Sequence, residues 1–247
     1  MGETQLQPDN RLRRARCTVG AIAVGLIGFL AGGIGVSLAL DAATRVVGTL
    51  DPVTEQWAIV TGFGTGVVLA VALYLWASDR GPGFVDLAVP SRRDVGAMLG
   101  GTIALFVLYG VVTAVRSLLG APAAPSNVEQ AIRAHPDPIA VGGFLFLTVV
   151  VVGPTEELLF RNVVQKRLRA VWAAPAAIAI ASLFFGVLHF GQYASGPALG
   201  TAISLATVFV LAVVLGSLYE ATENLLVPAV AHGLFNAIQI AAVWLVV

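Results

Sequence analysis

Cysteine is almost absent from this chain. Cys17 is the single one in 247 residues, so no internal disulfide can brace the fold. A role for Cys17 as a nucleophile would need a neighbouring base, which Arg16 and Thr18 do not supply, and it reads as small apolar filler at a membrane boundary. Charge is scarce as well. Only 11% of residues are Asp, Glu, Lys or Arg, against about 25% in ordinary soluble domains, and the mean hydropathy is +0.88. Together these values exclude a soluble globular domain. The formal net charge is zero, and no basic run extends beyond the few arginines between Arg11 and Arg16. Nucleic acid is therefore not an expected partner. No internal repeat or low-complexity segment stands out.

What the chain does have is long apolar runs. Windows of about 18 or more apolar residues mark membrane spans, and seven candidates occur: Cys17 to Leu40, Trp57 to Ala77, Val95 to Val115, Ile139 to Arg161 and beyond, Ala170 to His189, Gly200 to Leu218, and Leu225 to Val246. The expected fold is an all-α, polytopic transmembrane helical bundle of about seven spans. Its divisions are a basic tail (1–16), amino-terminal helices and loops (17–138) and a carboxy-terminal core (139–247). The stretch from Cys17 follows basic residues as a signal peptide does, but it is long enough to span and reads as the first transmembrane helix.

Basic residues in short loops set orientation. Arg11, Arg13, Arg14 and Arg16 put the amino terminus in the cytoplasm; Arg80, Arg92, Arg93, Lys166, Arg167 and Arg169 then fall on the same side. The outer loops hold Arg45 and a Pro-rich segment from Gly120 to Pro138, where His135 carries no expected catalytic role. The four tryptophans, Trp57, Trp76, Trp172 and Trp244, sit near helix ends as interfacial anchors do. Compact loops and the lack of an organelle signal point to a prokaryotic plasma membrane.

Against this apolar background stands Glu156-Glu157-Leu158-Leu159-Phe160-Arg161. An ionised side chain in a membrane helix costs at least about 2.5–3.5 kcal/mol on insertion scales, so such residues are functional-site candidates by default. Two more polar sites interrupt later helices, Phe185-xxx-His189 and His232-xxx-Asn236. Counting along an antiparallel hairpin that reverses near Ala170–Ala173, at 1.5 Å per residue, puts Glu156 about 21 Å and His189 about 24 Å from the turn. His232 comes about 10–12 Å in from Asn224, at the same depth. One cavity open toward the cytoplasm is the expectation.

Helical phase divides the roles. Glu157 and Arg161 are i and i+4 and can pair, neutralising one carboxylate. Glu156 lies about 100° round the helix, free to face another partner. A carboxylate beside an imidazole can hold a water and take its proton; an imidazole and an amide can stabilise an oxyanion. An isolated Glu–Arg pair is as often a structural clamp, and a lone membrane histidine is more often a helix–helix hydrogen bonder. Glu220 and Glu223, at a helix end, need no function.

Glu156-Glu157-xxx-Arg161, Phe185-xxx-His189 and His232-xxx-Asn236, in this order on late helices, resemble the three motifs of the CPBP family of intramembrane proteases, the CAAX proteases and bacteriocin-processing enzymes. The resemblance covers roughly Ile139 to Val247. Asn162 departs from it, standing where members frequently have Gly. The resemblance implies that Glu156 and His189 activate water, that His232 and Asn236 form the oxyanion site, and that Glu157, Arg161 and Phe185 organise the pocket. It implies a membrane-associated or lipidated peptide or protein as substrate. No cofactor is favoured; zinc held by Glu156, His189 and His232 is the alternative, although no HExxH motif occurs. The competing readings are a transporter or proton relay, and a membrane scaffold that binds a partner.

Overall fold

The computed structural model describes residues 8–247. Eight helices account for the architecture: α1 (Pro8–Val47), α2 (Pro52–Ala77), α3 (Arg92–Leu118), α4 (Asn127–Ala134), α5 (Pro138–Arg169), α6 (Ala174–Leu188), α7 (Ala198–Thr222) and α8 (Leu226–Trp244). No strand occurs among the described residues. The chain is a multi-pass membrane protein. Six helices, all but α4 and α6, are long and apolar enough to cross a membrane.

The expected fifth span is thus corrected. Its helix, α6, has 15 residues and reaches only about 22 Å at 1.5 Å per residue, short of a hydrocarbon core of about 30 Å. Ala173 and Pro175 start it late, and His189 ends it where Phe190 to Tyr193 form one separate turn. Apolar composition alone did not reveal these breaks.

Helix starts are written locally. Asp51 accepts hydrogen bonds from the Val53 and Thr54 amides, both at 3.0 Å, with Pro52 in the first turn of α2. Asp137 does the same for Ile139 and Ala140 ahead of Pro138 in α5. Ser91 and Asp94 form a reciprocal capping box on α3. Each pattern satisfies amides that a helix start would otherwise strand.

The α5 helix is irregular where it matters. Thr148–Val152 and Leu158–Gln165 are π-helical, and a short α-helical stretch, Gly153–Glu157, lies between them. Pro154 lacks an amide proton and loosens the ladder at this point. Wide π turns inside helices concentrate at functional sites, and here they flank Glu156 and Glu157.

The end of the bundle that carries the basic loops is closed. The segment between α2 and α3 folds back under the helices: the Asp86 amide donates to Asn162 Oδ1 at 2.9 Å and Lys166 Nζ contacts Asp86 at 2.7 Å. Tyr219 of α7 donates its hydroxyl to Asp86, and the Leu225 amide donates to the Asp86 carbonyl at 2.7 Å. Asn224 brackets Ala88 from both sides. Asp86 therefore ties α5, α7 and α8 to one rung.

Small residues set the α1–α2 hairpin. A Cβ on Gly62 would lie 2.8 Å from the Ala39 side chain and close against the Gly35 carbonyl, and one on Gly66 would meet the Ala31 carbonyl. Such approach is how helices associate in lipid without a hydrophobic drive. Gly62→Val is expected to lower the melting temperature in detergent markedly, because it would push the two backbones apart. Gly33→Val, where nothing lies within 4 Å of the added atom, should leave the melting temperature close to wild type.

Candidate active site

The site is assembled from three helices counted from one rung. Asp86 bridges Asn162 on α5 and Leu225 at the start of α8, so Glu156 and His232 lie six and seven residues along their helices from a shared level. Glycine brings these helices into contact. A Cβ on Gly153 would collide with the Ala229 carbonyl, and one on Gly233 would sit 2.9 Å from the Val149 Cα. Without both glycines the carboxylates and His232 would stand too far apart to bond.

Glu157 is the hub. It is fully buried; its Oε2 accepts from Arg161 Nε at 2.7 Å, and its Oε1 lies 2.9 Å from His232 Nδ1. Arg161, also fully buried, holds its guanidinium carbon 5.5 Å from the centre of the Phe185 ring. Neither its Nη atoms nor Gln165 Oε1 nor Ser182 Oγ, all buried beside this layer, has a protein partner.

Glu156 behaves differently. Its side chain keeps 16% of its surface exposed, and its Oε2 makes no hydrogen bond. That oxygen stands 3.9 Å from His189 Nε2 and 3.9 Å from His232 Nε2. Both imidazoles are oriented from behind: His189 Nδ1 lies 2.8 Å from the Phe185 carbonyl, and His232 Nδ1 faces Glu157. With Nδ1 donating in each case, a neutral ring turns a bare Nε2 toward Glu156. A gap of 3.9 Å is too long for a direct bond and suits one bridging water about 2.8 Å from each partner.

Phe185 supports the two rings. Its centre is 4.3 Å from that of His189 and 6.1 Å from that of His232, and it packs edge-on against Phe160 at 4.8 Å. Asn236, one helical turn beyond His232, lines the same cavity as Glu156, His189, His232 and Phe185. The cavity measures about 790 Å³, within the ~300–1,000 Å³ range of ligand pockets.

Its direction corrects an expectation. The cavity runs from Glu156 toward Gln56, Arg116, Asn127 and Gln192, at the end of the bundle opposite the basic loops, and not toward the end assigned to the cytoplasm. The physical cause is the Asp86 rung together with the buried block from Leu159 to Gln165 beneath Glu156. A count of residues gives depth but not which end is stoppered.

Residues set aside from the site lie elsewhere. His135 sits 3.8 Å from Asp51 in a loop, Glu220 pairs with Arg169 at 2.7 Å, and Cys17 Sγ donates to the Arg167 carbonyl at 3.2 Å. Asn162, which departs from the motif pattern, fastens the Asp86 segment through Oδ1. Gly153, Gly233, Asp86 and Tyr219 escaped the sequence reading; a glycine beside each charged motif was the one available sign.

Among the described residues no group of three or more His, Cys, Asp or Glu side chains forms a metal-binding cluster. The donor types nevertheless suit zinc: two Nε2 atoms whose Nδ1 atoms are engaged behind them, plus a carboxylate oxygen. Their 3.9 Å separations are wider than the roughly 3.4 Å between tetrahedral ligands placed 2.0–2.1 Å from zinc, so the side chains would close slightly around an ion.

Glu157→Gln and Arg161→Ala are each expected to destabilise the fold by about 3–5 kcal/mol, because each strands a buried charge. Glu156→Gln should melt near wild type, since its free oxygen holds nothing together. Thermal denaturation in detergent separates the two classes; equal shifts in all three variants would contradict the division.

Residues 138–238 match the family model described as Type II CAAX prenyl endopeptidase Rce1-like. Comparison with curated proteins and with solved structures gives no match. The matched segment contains both carboxylates, Arg161, Phe185, both histidines and Asn236, and over it the chain is similar to the Rce1-like CAAX prenyl endopeptidases.

Proposed function

We propose that this protein is a CAAX-type membrane endopeptidase that hydrolyses a peptide bond of a membrane-associated or lipidated substrate with water activated by Glu156 and His189. The observation that carries the reading is the unpaired Glu156 Oε2 facing two imidazole Nε2 atoms at 3.9 Å. A water between Oε2 and the His189 Nε2 donates one proton to each, which leaves its lone pairs free to attack. Glu156 takes a proton as the oxygen–carbon bond forms. The carbonyl oxygen becomes an oxyanion, stabilised by the Asn236 amide and, when the His232 ring is protonated on both nitrogens beside the Glu157 carboxylate, by the Nε2–H of that imidazolium. Collapse breaks the carbon–nitrogen bond, and the proton on Glu156 passes to the leaving amine. Glu157 and Arg161 act behind this set by fixing the ring of His232.

The glutamate-type reaction is the reading we favour, because Asn236 is a poor zinc ligand and no HExxH helix is present. Should the enzyme hold zinc, Glu156, His189 and His232 would be its ligands, and the ion would supply a Lewis acid and a more acidic bound water. The chain's residues would still set access, orientation and oxyanion binding.

With a membrane-anchored reporter peptide in liposomes, Glu156→Gln is expected to lower kcat/KM by at least about 100-fold, the scale of a lost general base. Asn236→Ala should lower kcat by about 10²–10³, as for a lost oxyanion donor. Wild-type activity should survive exhaustive 1,10-phenanthroline. Activity that disappears with the chelator and returns with zinc would reassign Glu156, His189 and His232 as ligands.

A further inference from the structure

Two asymmetries of the bundle coincide. Ten of the fourteen Lys and Arg residues, at 11–16, 80, 92–93 and 166–169, belong to one end; Arg45, Arg116 and Arg133 belong to the other. Basic residues in short loops are retained on the cytoplasmic side. That same end is stoppered below Glu156 by the Asp86 segment, held by Asn162, Lys166, Tyr219 and Leu225. The cavity that contains the site instead follows the less basic halves of α2, α3, α7 and α8, and its lining includes no residue of the basic loops.

From this coincidence we infer that the scissile segment reaches Glu156 from the extracytoplasmic half of the membrane, so that the substrate is a membrane-anchored or exported peptide presented on the outer face. This rests on the protease reading for the word substrate, but not for the direction of access. The chemistry of the passage fits such a ligand. Its walls are largely aliphatic and aromatic, with Ile59, Phe63, Phe106 and Leu211 along them, while Gln56, Asn127 and Gln192 supply polar groups at the rim. An apolar stretch of peptide with a wetted flank matches both parts. The rim is built on α4, an amphipathic helix tied down by Asn127 Nδ2 to the Gly191 carbonyl at 3.2 Å and by Gln130 Nε2 to Ser195 Oγ at 2.9 Å. A folded soluble domain cannot enter a cavity of about 790 Å³, so only an extended segment qualifies.

The test uses the full chain with Cys17→Ser, expressed in a bacterial inner membrane. Single cysteines are then placed at two points on the rim of the passage (Gln56→Cys and Gln192→Cys) and at the basic end (Arg93→Cys). Each is treated with a membrane-impermeant maleimide in intact spheroplasts and again after lysis. The expected result is that Gln56→Cys and Gln192→Cys label fully in intact spheroplasts, with no gain on lysis, whereas Arg93→Cys labels only after lysis. Labelling of both passage positions only after lysis, or in neither preparation, overturns the inference. So does labelling of Arg93→Cys in intact cells, which would mean the opposite insertion. Elution of each variant as a monodisperse peak in detergent guards against misfolding. A chain that labels as expected but cleaves no reporter, with or without Glu156→Gln, would remove the protease reading and leave the outward passage standing.

Discussion

The arrangement depends on Glu157. A fully buried carboxylate survives in a membrane interior only when its charge is matched and its oxygens are bonded, and both conditions are met by residues on two different helices. Arg161 satisfies one oxygen from within α5; His232 satisfies the other from α8. The first bond neutralises, and the second fixes position. Because His232 is held through Nδ1, its remaining nitrogen is committed to the cavity. The residue that gives the site its geometry is therefore not the one with the free oxygen, which is its neighbour Glu156.

Backbone features make that bond possible. Helices at ordinary separation would leave Glu157 and His232 apart, and the paired glycines at 153 and 233 remove the side chains that would hold α5 and α8 at that distance. The π turns on both sides of Glu156 and Glu157 change how the carboxylates face their neighbours, and Pro154 supplies a local reason for the first of them. At the closed end, Asp86 ties three helices through one backbone carbonyl, one amide and one carboxylate. A floor tied in this way holds the 3.9 Å gaps between Glu156 and the two imidazoles at a fixed width.

Much of this was legible in the residues, for identifiable reasons. Long apolar runs revealed the helices because lipid demands them, and charges inside those runs revealed the site because lipid penalises them. The i, i+4 pairing of Glu157 with Arg161 followed from helix geometry, and level depth followed from counting. Three things did not follow. The break after Leu188 was hidden because His189 and Phe190 continue an apolar run while the backbone changes course. The closed end was hidden because Asp86, Asn162 and Tyr219 are far apart in sequence and ordinary singly. The second partner of Glu157 was hidden because a helix reveals its own neighbours and not those of the helix packed against it.

The shortness of α6 also bears on the lipid. A helix of about 22 Å beside a hydrocarbon layer of about 30 Å presents Leu183 and Val187, with Phe190 in the turn just beyond it, each more than half exposed, to acyl chains that must shorten or tilt to meet them. Bilayers accommodate such mismatch by thinning, at fractions of a kcal/mol per Å. Thinning of this kind would lie beside His189, where α6 stops, and would bring headgroup water nearer to the cavity. The surrounding membrane would then act as part of the site, with bilayer thickness bearing on how readily water reaches Glu156.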